Sequence, residues 1–153
     1  MAAVLRFVEP GHLEVFYEQE RDPVATRMAR VPARERAAFI AHWERILDDD
    51  TVVVKTIVHD RAVAGNAVSS ERDGKREVGY RLGRPFWGRG IATRALDEFL
   101  RVVPHRPLHA SAAAANHGSI RGLEKCGFTI TRCEPVFGER WGAEVDVVLL
   151  ELR

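Results

Sequence analysis

The chain has 153 residues, 46% of them hydrophobic and 29% charged, which suits one domain around one core and excludes a disordered or fibrous class. Its net charge of +1, from 23 basic and 22 acidic side chains, leaves no global basic excess for nucleic acid. No apolar run approaches the ~20 residues of a membrane span. The first ten residues also lack the pattern of a signal peptide, so the expected location is cytoplasmic.

In chain order, Val4 to Val8 reads as a strand ended by Pro10-Gly11, and residues 12 to 20 as a helix broken by Arg21-Asp22-Pro23. A longer helix is expected over 33 to 47. Its helically spaced set is Ala37, Ile40, Ala41, Glu44 and Leu47, with Phe39, Trp43 and Ile46 widening the stripe. From Thr51 the period changes to that of strands, 51 to 58 and 62 to 69, joined by the turn candidate His59-Asp60-Arg61. Arg72-Asp73-Gly74-Lys75 is a polar hairpin loop before a third strand, 77 to 82. A helix is expected over 88 to 102, with an apolar face of Ile91, Ala92, Ala95, Leu96, Phe99 and Leu100, continued by Val103. A strand over 108 to 113 and a helix over 116 to 126 follow. Strands 128 to 133 and 145 to 152 close the chain. This order implies a single α/β domain, 1–153, with a mixed, mostly antiparallel sheet flanked by helices.

The most informative stretch is residues 77 to 100, where a strand feeds the turn Trp87-Gly88-Arg89-Gly90 and the turn opens into a helix. Glycines there allow close approach of a ligand, and the first helical turn offers unpaired N–H groups at the positive end of the helix dipole. Such a turn suits a phosphate. A Walker loop would place Lys and then Ser or Thr after the second glycine, where Ile91-Ala92 stands. A GxGxxG fingerprint would need a third glycine, where Thr93 stands.

The segment resembles the GNAT superfamily of N-acetyltransferases, and within it the branch of ribosomal-protein N-terminal acetyltransferases. In the superfamily's (Gln/Arg)-x-x-Gly-x-(Gly/Ala) pattern, the last two fixed positions match Gly90 and Ala92, and Trp87 departs at the first. A second block, Asn116-His117-Gly118-Ser119 and then Glu124-Lys125-Cys126-Gly127-Phe128, is similar to the family's Asn-x-x-Ser and Glu-Lys-x-Gly-Phe. The likeness covers residues 51 to 153 and is weaker over 1 to 50, where the acceptor pocket is usually shaped.

The resemblance implies a GNAT-like fold with acetyl-CoA as co-substrate and no metal. Main-chain groups around Leu82 and Gly83 would meet the pantetheine arm. Gly88, Arg89, Gly90, Ala92 and Thr93 would surround the pyrophosphate, and Asn116 would bond the pantetheine or acetyl end. Leu123 stands where many members carry a tyrosine that protonates the departing thiolate, which turns attention to Ser119. Ser119 equally suits the first turn of a helix capped by Asn116.

The implied acceptor is a primary amine, on a small molecule or a peptide N-terminus, with neither nucleic acid nor membrane as partner and a homodimer left open. The alternative is a catalytically idle CoA-binding module. Glu77, at the start of the strand leading to the turn, is the first candidate general base, and Glu139 in a later loop is the second. Either carboxylate equally suits a solvated surface. His105 and His109 are separated by Pro107 and share no helical face, so they are not read as metal ligands.

Overall fold

The computed structural model of the chain describes residues 4–30, 32–138 and 143–153. Elements run β1 (Val4–Arg6), α1 (His12–Glu20), α2 (Pro23–Ala29), α3 (Arg36–Asp48), β2 (Val53–His59), β3 (Ala62–Arg72), β4 (Lys75–Leu82), a 3-10 turn (Arg84–Phe86), α4 (Ile91–Val102), β5 (Leu108–Ala113), α5 (His117–Lys125), β6 (Thr129–Gly138) and β7 (Ala143–Leu152). The strands form one seven-stranded sheet in the order β1-β2-β3-β4-β5-β7-β6, antiparallel except between β4 and β5. The fold is the expected α/β architecture, one mostly antiparallel sheet flanked by helices. Among the described residues, no helix is long and apolar enough to cross a membrane.

The two hairpins of the meander close with backbone turns written in the sequence. Asp60 and Arg61 (φ 48° and 67°) join β2 to β3, and Asp73 and Gly74 (φ 52° and 76°) join β3 to β4. Two consecutive positive φ values match the right-handed twist of a two-residue hairpin. On one face of the sheet, α4 buries Ile91, Ala95, Leu96, Phe99 and Leu100 in a cluster with Val78, Leu82, Leu108 and Leu150. On the other, Leu13 and Phe16 of α1 meet Phe39 and Trp43 of α3 over Val54, Val63 and Val68.

Some bounds shift, with α3 beginning at Arg36 rather than 33 and β6 running on to Gly138 rather than 133, and two expectations change in kind. Arg21-Asp22-Pro23 ends α1 but also starts α2. The Asp22 carboxylate accepts from the Val24 amide (2.8 Å) and Pro23 occupies the first turn, an N-cap followed by a favoured proline. In α3 the buried side chains are Phe39 and Trp43, one turn apart, while Ala37, Ala41, Glu44 and Leu47 face solvent. The large aromatics take the core because they remove the most apolar area from water.

A bulge in β3 shapes the end of β4. Ile57 pairs with Gly65 but Val58 pairs with Val63, so Ala64 is the extra residue. Its carbonyl accepts from the Gly83 amide (2.8 Å) and from Gln19 Nε2 of α1 (3.1 Å). Bulges add right-handed twist, here at the end of β4 that leads to the glycine turn. The close approach requires Gly65, since a Cβ there would stand 2.0 Å from the Arg81 carbonyl oxygen. Gly65→Ala is therefore expected to destabilise the fold by about 1–3 kcal/mol, the usual range for forced overpacking. Urea unfolding would check it, and unchanged stability would show that β3 yields at no cost.

Candidate functional site

β4 and β5 run parallel but share a single register pair, Glu77 with His109, after which they part. The Gly83 amide donates to Ala64 of β3, which fixes the phase of β4. Main-chain groups of successive residues in an antiparallel ladder point to opposite edges. Gly79, Arg81 and Gly83 therefore address β3, while Tyr80 and Leu82 address the opening beside β5. No strand covers them there, so a short stretch of peptide N–H and C=O groups borders a cleft.

The cleft, of about 450 Å³, is walled by Tyr80 and Leu82, by Phe86 to Gly88, by the first turn of α4 from Gly90 to Thr93, and by one face of α5. Arg81 closes the same cleft from the opposite face of the sheet, with Ala25 and Met28 of α2. Side chains alternate across a strand, so Tyr80 and Arg81 on one lining mean that the opening passes through the sheet.

At the turn, Gly90 (φ 74°) is the N-cap residue of α4, and no side chain caps the helix. The first α4 hydrogen bond runs from the Arg94 amide to the Gly90 carbonyl (3.2 Å), leaving the amides before Arg94 without an intrahelical acceptor. These donors at the positive end of the helix dipole suit a phosphate. Gly88, Gly90, Ala92 and Thr93 all stand on the lining of the cleft. Trp87, the departure from the family pattern, donates through Nε1 to the Leu82 carbonyl at 2.8 Å and braces the turn against the end of β4.

Other assigned residues are placed differently. Gly83 has its amide committed to Ala64 and lies off the lining, so the cleft-facing main-chain groups are those of Tyr80 and the Leu82 N–H. Arg89 also lies off the lining, its guanidinium reaching His59 Nε2 (3.4 Å) and the Pro85 carbonyl (3.5 Å). Glu77 sits at the vertex where β4 meets β5, about 16 Å along the strand from Leu82, with its carboxylate on the Arg72 guanidinium at 3.0 Å. Glu139 lies outside the described residues. Among the described residues, no three His, Cys, Asp or Glu side chains gather as metal ligands would.

Asn116 caps α5 through a bond from the Ser119 amide to its side-chain oxygen (3.3 Å), and both residues line the cleft. The Ser119 carbonyl accepts from the Tyr80 hydroxyl at 3.5 Å, and that hydroxyl sits 2.9 Å from where a Cβ on Gly122 would stand. Tyr80 escaped the sequence reading, although it alternates with Val78 and Leu82 and is the polar-tipped member of that apolar face. Arg121 and Lys125 of α5, and Ala25 and Met28 of α2, are further lining residues that the motif search did not single out.

Burial pushes the Tyr80 phenol above its usual range, only partly offset by its bond to Ser119. Cys126 is half-buried, donates to the Thr93 carbonyl at 3.4 Å, and has its thiol pushed up by burial. Both groups are protonated and uncharged at neutral pH.

Residues 3–129 match the family model described as acetyltransferase (GNAT) domain. No curated protein sequence matches the chain. Among solved structures, a GNAT superfamily phosphinothricin acetyltransferase from Sinorhizobium meliloti in complex with AcCoA is 21% identical, with a TM-score of 0.83 over 99% of this chain and 88% of that one. A ribosomal-protein-alanine N-acetyltransferase from Brucella melitensis is 19% identical, with a TM-score of 0.81 over 97% and 98% of the two chains. A spermidine N-acetyltransferase from Vibrio cholerae, in complex with CoA and spermine, is 14% identical, with a TM-score of 0.81 over 98% and 94%. At these identities the likeness concerns the fold.

The half-buried phenol makes a pH prediction. A tyrosine whose folded pKa is raised stays protonated after its unfolded counterpart has ionised, so the stability it supports is complete below about pH 10 and is lost as pH rises toward the folded value. Tyr80→Phe removes this linkage, and its stability should fall less steeply above pH 10 than that of the unaltered protein. Urea midpoints across that range decide the matter, and parallel curves would place the phenol in water.

Proposed function

The chain belongs to the GNAT acetyltransferases, and from that premise we propose that it transfers acetyl from acetyl-CoA to a primary amine by direct attack within the cleft between β4 and β5. The observation that carries this reading is the opening through the sheet. The phosphate-binding turn and the α5 face lie on one side, and Arg81 and α2 lie on the other. An amine entering from the α2 side then reaches the thioester carbon without crossing the cofactor, the access that direct attack needs.

The pyrophosphate would rest on the amides of Gly90 to Thr93, and the pantetheine arm would pair with the exposed edge at Tyr80 and Leu82 as an added strand does. A main-chain N–H on that edge, held rigidly by the sheet, suits the thioester oxygen as negative charge develops on it. The amine nitrogen attacks the carbonyl carbon, the C–S bond breaks, and the thiolate takes a proton. Ser119 is assigned as the donor, directly or through one water, and its hydroxyl takes back the proton that the attacking nitrogen loses as the amide forms. Its amide is fixed by Asn116 and its carbonyl by Tyr80, while its hydroxyl has no partner among the described residues.

A lysine-like amine of pKa ~10.4 costs about 4–5 kcal/mol to deprotonate at pH 7, and an α-amine of pKa ~8 only about 1–1.5 kcal/mol. Glu77 is engaged with Arg72 at the vertex, so we assign deprotonation to solvent on the α2 side. Rates should therefore rise with pH toward the acceptor's own pKa, and Glu77→Gln should leave that profile in place. A shifted profile would restore Glu77 as the base. The fold is shared by relatives named for ribosomal protein, spermidine and phosphinothricin, so the acceptor is assigned to the amine class as a whole.

Thiol release from acetyl-CoA, measured with a peptide N-terminus, a polyamine and an amino acid, tests the reading. Turnover with at least one is expected, and CoA binding without turnover on any amine would contradict it. For Ser119→Ala, kcat should fall by about 10²- to 10⁴-fold, the usual contribution of a general acid, with CoA affinity held within a few-fold. Unchanged kcat would leave Ser119 as a helix-turn residue alone.

A further inference from the structure

Arg121 and Lys125 stand one helical turn apart on α5, both lining the cleft. Among the described residues neither side chain has a hydrogen bond or ion pair. Like charges at this spacing destabilise a helix. The favourable dipole at the end of α5 accounts for Lys125 but not for Arg121, four residues earlier. No Asp or Glu lines the cleft to neutralise them. Arg89, the cation expected from the motif, is turned to His59 instead. The cleft therefore carries an uncompensated positive wall on α5, facing whatever occupies it.

Acetyl-CoA offers two anionic groups, a pyrophosphate and a phosphomonoester on the ribose 3′ oxygen that carries about −1.5 to −2 at neutral pH. The amides at the start of α4 suit the pyrophosphate, but they leave the monoester without a partner. The last turn of α5 abuts the first turn of α4, where Cys126 Sγ donates to the Thr93 carbonyl at 3.4 Å. Lys125 therefore stands beside the pyrophosphate turn, and Arg121 lies about 6 Å further along the helix. A second phosphate carried by the same nucleotide falls within reach of two long, flexible side chains.

We propose that Arg121 and Lys125 form a subsite for the 3′-phosphate of the cofactor, so that this chain selects CoA over its 3′-dephospho form. The inference rests on the reading that the cleft holds acetyl-CoA. Both side chains are exposed, so the attraction is screened and should weaken with salt.

Calorimetry with CoA and 3′-dephospho-CoA, on the unaltered chain and on an Arg121→Gln/Lys125→Gln double variant, tests the subsite. The unaltered chain should hold CoA about tenfold or more tightly than dephospho-CoA, with the preference shrinking in 0.5 M salt. The double variant should bind dephospho-CoA with unaltered affinity and show no preference. A preference that survives in the double variant would place the 3′-phosphate elsewhere. Equal losses for both ligands would assign the cations to the pyrophosphate and overturn the subsite. Tight binding of both ligands to the unaltered chain with no preference would overturn the subsite alone. If neither ligand bound, the cofactor reading would fall with it.

Discussion

The site depends on the parting of β4 from β5. A parallel pair that continued past Glu77 and His109 would cover the main-chain groups of Tyr80 and Leu82 with another strand and leave nothing for a ligand to pair with. Unpaired backbone groups inside a protein are costly, so an interrupted ladder persists only when water or a ligand satisfies them. Three features hold the gap in shape. The Ala64 bulge twists the end of β4, Gln19 and Gly83 tie that bulge to α1 and to the glycine turn, and the Trp87 indole braces the Leu82 carbonyl.

The parting also organises the chemistry by side. Because alternate residues of β4 face opposite ways, Tyr80 looks toward α4 and α5 while Arg81 looks toward α2. The α4–α5 side offers oriented amides, the Ser119 hydroxyl and a half-buried protonated phenol, a set suited to phosphates and a departing thiolate. On the α2 side stand Ala25, Met28 and an arginine, with no carboxylate on the lining. In the proposed reading, affinity for the cofactor and choice of acceptor fall on different elements.

The α4 side of the cleft was largely legible in the sequence because it is built from main chain. A strand, a glycine turn and a helix in immediate succession leave a local signature, as do the Asp60-Arg61 and Asp73-Gly74 hairpins. Asn116 and Ser119 were legible for the same reason, since a cap and its first turn are neighbours in the chain. Less legible was whatever depended on contacts between distant elements. Arg89 looks like a phosphate ligand from its position, but His59, thirty residues earlier, takes its guanidinium. Glu77 looks like a base until Arg72 is found across the hairpin. Asp22-Pro23 stops one helix and caps the next, and only the start of α2 could be missed by reading it as a stop. In α3 the spacing of small residues competed with the bulk of Phe39 and Trp43, and bulk decided which face was buried.

The central claim is that the cofactor completes the interrupted ladder at β4, and amide hydrogen exchange of Tyr80 and Leu82 with and without saturating CoA tests it most directly. Their N–H groups face the cleft, so exchange at both should slow on binding, while amides of Gly79 and Arg81, bonded toward β3, should change far less. Equal slowing along the whole strand would indicate general stabilisation by a ligand bound elsewhere. Tight CoA binding with no added protection at Tyr80 or Leu82 would contradict the account.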